Sequence, residues 1–364
     1  MKKILFFQVL IVLILFGCSR HQDRISEIVL NDSAFIKLTV INCTDTIQLH
    51  YKTDPLFPIK CVINNMDITK DGIYYFSHKT TTPDFIDITF KKRFQTYVIP
   101  GDTLKIFSNF DPNLNENEAI KIEGVFGKIS NYFSKKHEIL GYWDIRYPLT
   151  EFSNITFPLA RTISLSDSLF QCEANFLDDY NKKNKLPNWF YEILKADIEY
   201  YRVSYRPSVI GYRKFFFKEN ISNPKEYYNF EKISLNNPRA KLSRSYYDCI
   251  GMYFMVNHEE GLENKSGISR GLPLFERSIP EAKKTLKGDI LENFLAFKMS
   301  ELFEASSSLE DLKQVDSLFS KIQDQFTQHE IIEILEHQRD DQAEFLAKRT
   351  KIIPFTTTIF EIKK

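Results

Sequence analysis

The chain has 364 residues, of which 43% are hydrophobic and 26% charged, with 48 basic and 48 acidic side chains. This length suits two ordinary domains, and this composition can build a core, so a disordered chain is excluded. The balanced charge gives no reason to expect nucleic acid or an acidic membrane face as a partner. Glycine is scarce, at 12 residues, and no G-x-G-x-x-G or Walker-type run is present, which argues against a phosphate-cradling loop.

The first segment has the layout of a secretory signal peptide. Two lysines follow Met1, residues 4–16 form an almost unbroken apolar run, and Gly17-Cys18 closes it. The run is about 13 residues long, whereas a transmembrane helix needs roughly 20. We predict a signal peptide over residues 1–17. The alternatives are an ordinary cleaved signal without lipid and an uncleaved anchor.

The end of this segment resembles the bacterial lipoprotein signal, with Leu15, Gly17 and Cys18 at the positions of that motif. Phe16 departs from it, because a small residue is commoner there. The resemblance implies cleavage before Cys18, a diacylglyceryl group on its thiol and often an acylated amine. Several acyl chains anchor a protein stably. We therefore predict a lipidated tether over 18–27 and an exported, membrane-anchored protein of the cell envelope, facing the periplasm or the cell exterior.

Residues 28–125 are predicted to form a β-sandwich. Runs rich in β-branched and aromatic residues predict strands at 34–41, 46–51, 73–76, 85–90, 96–99, 103–107 and 120–122. Asp71-Gly72 and Pro100-Gly101-Asp102 supply tight turns. Seven or so short strands at this spacing are typical of a sandwich of about 100 residues.

Residues 126–349 are predicted to form an all-helical domain. Apolar residues between 165 and 180 recur at helical spacing, and Ser164 with Asp167 predicts a capped helix start. Further helices are predicted after Pro187, from Asp289, from Ser308 and over 330–349. The predicted fold class is therefore α+β, an N-terminal β-sandwich followed by an all-helical domain.

Three short motifs resemble a known family. They are Tyr97–Ile106 with its Pro100-Gly101-Asp102 turn, Ile122-Glu123-Gly124 with Ser130-Asn131-Tyr132, and Asp71-Gly72 before an aromatic strand. Together with the order of lipid signal, β-domain and helices, they resemble the noncatalytic front of thiol-disulfide interchange lipoproteins of the Bacteroidetes type. The stretch 290–319 is similar to the helical middle region of that family.

The resemblance covers about residues 28–345. In that family a thioredoxin-like domain with a C-x-x-C motif follows, and no such motif occurs in this sequence. The redox role is therefore not carried over. Residues 350–364 are either a frayed tail or short edge strand, or the start of a missing thioredoxin-like domain, which would make the chain a truncated product.

Four cysteines remain once Cys18 is assigned to lipid. Cys43 and Cys61 both fall in the first predicted domain, so they are the candidate disulfide of an exported protein. The alternative is that these two, Cys172 and Cys249 are all buried, reduced thiols. Their wide spacing excludes a local C-x-x-C redox pair or zinc knuckle.

The segment 200–218 interleaves aromatic and cationic residues. Trp189, Tyr201 and Tyr205 are the candidate ligand-binding aromatics, which could form a platform for a glycan or a peptide. The alternative is core packing, with rings and long side-chain stems shared between helices. An RNA-stacking surface makes little sense behind a secretion signal.

Metal and catalytic sites have weak signals. His329, Glu333 and His337 share one helix face, but residues eight apart are about 12 Å apart along the axis, too far for one ion. We expect a solvated polar face, with no metal and no cofactor. No G-x-S-x-G nucleophile elbow occurs, so we assign no catalytic residue. A Ser-His-Asp triad stays open, because its residues meet in space and need no fixed spacing in the sequence.

The predicted function is a noncatalytic binding or scaffold module of the cell envelope, with an unknown protein or small-molecule partner. The alternative is a truncated or degenerate thiol-disulfide oxidoreductase lipoprotein that lacks its catalytic domain.

The lipid anchor can be tested by changing one residue. Cys18→Ala removes the thiol that receives the lipid, so we expect the protein to leave the membrane fraction or to stop maturing. Fractionation and labelling with a radioactive fatty acid measure both effects. A variant that stays membrane-bound and acyl-labelled would place the lipidation site elsewhere.

Overall fold

A computed structural model describes residues 33–43, 47–54, 63–79, 83–89, 93–111, 113–114, 120–152, 157–262 and 265–352. The predicted signal peptide and tether, Cys18, Cys61 and residues 353–364 of the predicted tail lie outside the described residues. The fold is mixed, with N-terminal sheets followed by a helical region.

The described strands form two four-stranded sheets, ordered β4-β1-β7-β8 and β3-β2-β5-β6. They are β1 Ser33–Ile41, β2 Ile47–Asp54, β3 Ile63–Ile68, β4 Gly72–Lys79, β5 Asp84–Thr89, β6 Arg93–Val98, β7 Thr103–Asn109 and β8 Ile120–Ile122. Strands β1 and β7 are parallel, and the other described pairs are antiparallel. Seven of these strands overlap the predicted runs.

Strand β3 was not predicted from the sequence. Its sequence, INNMDI, is rich in asparagine and aspartate, which are depleted in strands. The strand forms because it pairs along six residues with β2, from Ile47↔Ile68 to Lys52↔Ile63. A long-range partner therefore overrides the local preference, which sequence periodicity does not report.

One hydrophobic cluster draws residues from both sheets. Every second residue of β1 from Ala34 to Val40 is buried, as an alternating strand requires. The same cluster includes Ile86 and Ile88 of β5 and Leu104 of β7. The side chains from the two sheets therefore share one core.

The predicted turn at Pro100-Gly101-Asp102 is confirmed, and it links strands of different sheets. The N–H of Asp102 donates to the carbonyl of Ile99 at 3.0 Å, and Gly101 takes a φ of 75°, which glycine adopts without strain. The turn also holds the start of β1, because Gly101 N donates to the carbonyl of Ser33 at 3.0 Å. It therefore ties together strands that are distant in sequence.

The described helices are numbered here in chain order. They are α1 Gly124–Leu140, α2 Arg146–Phe152, α3 Leu159–Asn184, α4 Asn188–Phe217, α5 Arg244–His258, α6 Ile268–Thr285, α7 Asp289–Ala305, α8 Leu309–Ile322 and α9 His329–Ile352. Short 3-10 turns lie at Pro224–Tyr227, Phe230–Lys232, Pro238–Ala240 and Gln323–Gln325.

One predicted helix start is confirmed and another is wrong. Ser308 caps α8, since its side chain accepts a hydrogen bond from the N–H of Asp311 at 3.1 Å. The start predicted at Ser164 lies inside α3, which begins at Leu159. Asp167 caps nothing there, because its carboxylate binds Arg202 and Arg206 of α4.

The described residues divide into two compact units between Tyr253 and Phe254. The first unit contains both sheets and α1–α4, and the second contains α6–α9. The boundary between the units falls within α5. Helix α1 packs on β6, so the predicted boundary at 125/126 falls inside the first unit. The predicted domain limits 28–125 and 126–349 stay a prediction.

The second unit is built around α7, which contacts α6, α8 and α9. Residues on all sides of this helix are buried, as expected for a helix enclosed by neighbours. The buried Glu292 of α7 accepts hydrogen bonds from Thr327 Oγ1 at 2.8 Å and from the N–H of Gln328 at 2.9 Å, just before α9. The start of α9 is therefore fixed by a carboxylate on another helix.

A matched pair of glycines tests the junction between sheet and helix. A Cβ on Gly127 of α1 would collide with the carbonyl oxygen of Ile122 in β8, whereas a Cβ on Gly211 of α4 meets open space. We expect Gly127→Ala to lower the free energy of unfolding by about 1–3 kcal/mol. Gly211→Ala should raise it by about 0.5–1 kcal/mol, because alanine restricts the unfolded chain.

Denaturant titration followed by tryptophan fluorescence measures both changes, since Trp143 and Trp189 lie in the first unit. Equal effects of the two substitutions would contradict the close approach at Gly127.

Candidate binding surfaces

The structure brings together two of the three predicted ligand-binding aromatics. Tyr201 and Tyr205 pack around Phe170, with ring centroids 5.6 and 6.2 Å from it. The hydroxyl of Tyr205 donates to the carbonyl of Leu149 at 3.0 Å. These rings pack between helices, and that either one binds a ligand stays a prediction.

Trp189 lies apart from that pair, in a second aromatic cluster. Twelve residues of α4 separate it from Tyr201, or about 18 Å along the helix axis. Its ring centroid is 5.9 Å from that of Tyr97 in β6 and 5.8 Å from that of Phe190. The three predicted residues therefore form no single platform.

Two of the predicted cysteines occupy different surroundings. Cys43, whose N–H donates to Asp71 Oδ1 at 2.6 Å, is half-buried, and its predicted partner Cys61 lies outside the described residues. The disulfide therefore stays a prediction. Cys249 of α5 is fully buried, and burial raises the pKa of its thiol. A thiol held neutral in this way packs as a small apolar side chain.

A buried ion pair joins α1 to α3. Lys136 Nζ lies 2.7 Å from Glu173 Oε1, and both side chains are almost fully buried. The ring centroid of Tyr142 is 5.8 Å from the same Nζ. Burial, and then the charge of Glu173, raise the pKa of the Tyr142 hydroxyl, so the phenol stays neutral. The arrangement positions the two helices, because a buried charge needs its partner.

Asp197 of α4 lies at the N-terminal end of α5. Ser243 Oγ donates to Asp197 Oδ1 at 2.5 Å and accepts from the N–H of Tyr246 at 3.1 Å. The N–H and the side chain of Ser245 also hydrogen-bond the carboxylate. Desolvation by burial raises the pKa of Asp197 to about 6, although these hydrogen bonds lower it. The carboxylate therefore accepts hydrogen bonds at the N-terminal end of α5, although its burial removes it from water.

Two tyrosines in edge-to-face contact, Tyr200 and Tyr246, hold the segment before α5. Tyr200 Oη donates to the carbonyl of Ser234 at 2.8 Å, and Tyr246 Oη donates to the carbonyl of Leu235 at 2.7 Å. Asn237 donates to both hydroxyls, through its side chain and its N–H. These polar atoms satisfy one another, so the network has a structural role.

The outer face of the first sheet exposes large apolar side chains. Phe35 of β1 and Ile73 and Tyr75 of β4 are between 46% and 69% exposed. Lys37 lies directly opposite Tyr75 in the register, with its Nζ 5.9 Å from the ring centroid. Lys105 of β7 lies beside Lys37 on the other side. We call these five residues the sheet face.

A second exposed surface lies at the end of α4, within the segment noted in the sequence. Tyr212, Phe215, Phe216 and Phe217 are all exposed. The sequence of this segment favoured core packing, and Tyr200 and Tyr205 do pack in that way. The interleaving of rings and cations was visible from the sequence, but the point at which α4 passes beyond its neighbours was not.

No group of three metal-ligating side chains comes together within the described parts of the chain. His329 Nε2 lies 3.6 Å from Glu333 Oε1 on the exposed face of α9. In the same residues, no helix is both long and apolar enough to span a bilayer.

Asp197 gives the first unit a specific pH dependence. Its folded-state pKa of about 6 lies above the ordinary value of 3.8, so the folded state binds the proton more tightly. Its contribution to the free energy of unfolding is therefore full below about pH 4 and is lost as the pH rises through 6. Between pH 4 and 7 we expect the free energy of unfolding of the wild type to fall by about 1–3 kcal/mol relative to that of Asp197→Asn.

Denaturant titrations of both proteins across this range measure the difference. A difference that does not change with pH would contradict the raised pKa.

The sheet face and the end of α4 are thus two surfaces where several large apolar side chains are exposed together. No known family model matches this sequence, and no curated protein is significantly similar to it. The resemblance to thiol-disulfide interchange lipoproteins therefore rests only on the short motifs, the stretch 290–319 and the order of signal, β-domain and helices.

Proposed function

We propose that this protein is an exported lipoprotein of the cell envelope, held by an acylated Cys18, that acts as a noncatalytic binding module. The signal-like segment and the Gly17-Cys18 junction support the location. The observation that carries the binding role is the sheet face, where large apolar side chains meet solvent. Contiguous exposed apolar patches of this kind mark interaction sites in soluble domains.

The proposal includes a β-sandwich formed by the two N-terminal sheets. The shared core supports it, because Ile36 and Leu104 of the first sheet and Ile86 of the second belong to one cluster. In a sandwich the inner faces interdigitate and the outer faces alternate with them along each strand. The outward residues Phe35 and Lys37 obey that alternation with the buried Ile36.

The partner that best fits the sheet face is a protein. Ile73 and Phe35 offer flat apolar area, and Tyr75 adds a ring with a hydroxyl, which suits the centre of a protein interface. Lys37 favours a partner with a carboxylate opposite it, whereas Lys105 Nζ already lies 3.9 Å from Glu123 Oε2. A glycan platform would need polar groups that fix hydroxyls around the rings, whereas Phe35 and Ile73 carry no polar side-chain atom.

The second candidate is a truncated or degenerate thiol-disulfide oxidoreductase lipoprotein. The motifs around Pro100-Gly101-Asp102 and the stretch 290–319 favour it, through the resemblance alone. Disulfide turnover by the mature chain in an insulin-reduction assay would support this candidate against the first. A downstream reading frame that encodes a thioredoxin-like domain with C-x-x-C would do the same.

Site-specific crosslinking tests the binding role of the sheet face. A photoreactive benzophenone amino acid replaces Tyr75, and the same residue at the exposed Tyr147 of α2 is the matched control. In envelopes of the native host we expect discrete crosslinked products from position 75, because a partner covers that ring. Adding Lys37→Glu should reduce them, since it reverses a charge beside the ring.

Two outcomes would contradict binding at the sheet face. They are crosslinked products of equal yield from positions 75 and 147, and no products from either position. Both side chains are exposed, so neither replacement should change the free energy of unfolding by more than about 0.5 kcal/mol.

A further inference from the structure

The last turns of α4 carry four clustered aromatic rings. Tyr212, Phe215, Phe216 and Phe217 are 39% to 63% exposed. The ring centroids of Tyr212 and Phe216 are 4.7 Å apart, and those of Phe215 and Phe216 are 4.9 Å apart. Side chains three and four residues apart on a helix share one side, which brings Tyr212, Phe215 and Phe216 together, and the ring centroid of Phe217 is 5.6 Å from that of Tyr212. We call these four residues the aromatic end of α4.

A buried arginine holds this end of the helix in place. Arg213 is 1% exposed, and its Nη2 donates to the carbonyl of Phe157 at 2.7 Å and to Thr162 Oγ1 at 2.8 Å. Its Nη1 binds the carboxylate of Glu219 at 3.2 Å. The arginine therefore fastens α4 to the start of α3, while the neighbouring rings point to solvent.

The two segments that meet at the aromatic end carry mostly positive charges. Segments 157–162 and 211–219 contain four cations and a single carboxylate, Glu219, which is paired with Arg213. Lys214 and Lys218 are exposed, and Lys218 Nζ lies 5.1 Å from the ring centroid of Phe215. The zero net charge of the whole chain hides this local excess.

We propose that the aromatic end of α4 docks at the lipid–water interface of a membrane that contains anionic phospholipid. Aromatic rings are favoured at the level of the headgroups, and nearby lysines attract anionic headgroups. A second copy of this chain fits less well, because the same positive charges would face each other. The inference rests on the proposed envelope location only in that an anchored chain lies beside a membrane.

The position of this surface agrees with a separate role for the sheet face. About 27 residues of α4 separate Trp189, which packs on β6, from Phe216, or about 40 Å along the axis. The aromatic end and the sheet face are therefore built from different elements, α4 on one side and β1, β4 and β7 on the other.

Fluorescence quenching by brominated lipid tests the contact in the full chain. Phe216→Trp places a reporter in the aromatic end, and Tyr75→Trp places one on the sheet face as the matched control. The chain is mixed with vesicles of phosphatidylethanolamine and phosphatidylglycerol with brominated acyl chains, and the signal of the native tryptophans is subtracted. We expect a blue shift and strong quenching at position 216, and neither at position 75.

The charge requirement is tested in the same background. Lys214→Gln with Lys218→Gln should lower the ratio of inserted to free aromatic end roughly thirtyfold, since each lysine near an anionic surface contributes about 1 kcal/mol. Vesicles of phosphatidylcholine alone should give a similar loss. Quenching that is equal at positions 216 and 75 would overturn the proposal. So would quenching at position 216 that neither the lysine substitutions nor the phosphatidylcholine vesicles reduce.

The test separates this inference from the proposed lipid anchor. Acyl labelling of Cys18 reports the anchor, whereas quenching at position 216 reports the depth of that residue whether or not the chain is acylated. If the reporter at position 216 instead becomes protected from aqueous acrylamide as the protein concentration rises, without vesicles, then self-association covers the rings and the membrane proposal is wrong.

Discussion

The helices of the first unit are seated on the sheets through the ring of Tyr97 in β6. This nearly buried ring packs against Phe133 of α1 and Phe190 of α4, with centroids 6.5 and 5.6 Å away. Each aromatic pair of this kind contributes about 0.5–1.5 kcal/mol beyond the area that it buries. Because α1 and α4 meet at this strand, the direction of α4 is set here, and so is the place where its far end emerges.

Charged side chains then fix the helices relative to one another. Lys136 and Glu173 join α1 to α3, and Arg213 joins α4 to the start of α3. Asp167 of α3 binds two arginines of α4. Such pairs add little net stability, but losing one partner is costly, so they favour one register of the helices over its alternatives. Several cations of the aromatic segment are therefore engaged inside the fold and are not available to a ligand.

Much of the fold could be predicted from the residues, and the failures have physical reasons. Strand runs such as 34–41 alternate clearly and are therefore predictable, whereas β3 depends on its partner β2 and carries no local signal. The start of α3 was misplaced because Ser164 and Asp167 have the residue types of a cap, while tertiary ion pairs decide what Asp167 binds.

The candidate surfaces were harder to predict than the elements. Alternation along β1 places Phe35 and Lys37 on the face opposite Ile36, but only the pairing with β4 brings Tyr75 beside Lys37. In α4, Tyr205 and Phe216 belong to one aromatic segment, yet the first is buried and the second exposed. The difference arises where the helix extends past its neighbours, which a helical period does not encode.

The position of β1 has a mechanical consequence. It lies between β4 and β7, so its hydrogen bonds run to strands on both sides. If the proposed lipid anchor held the N-terminus, a pull on it would reach the described part of the fold through β1, the first strand described. Because those hydrogen bonds run across the strand, they share the load together and do not open one after another. A pull along β1 from the proposed anchor would therefore load an interior strand of the first sheet in shear, across its hydrogen bonds to β4 and β7.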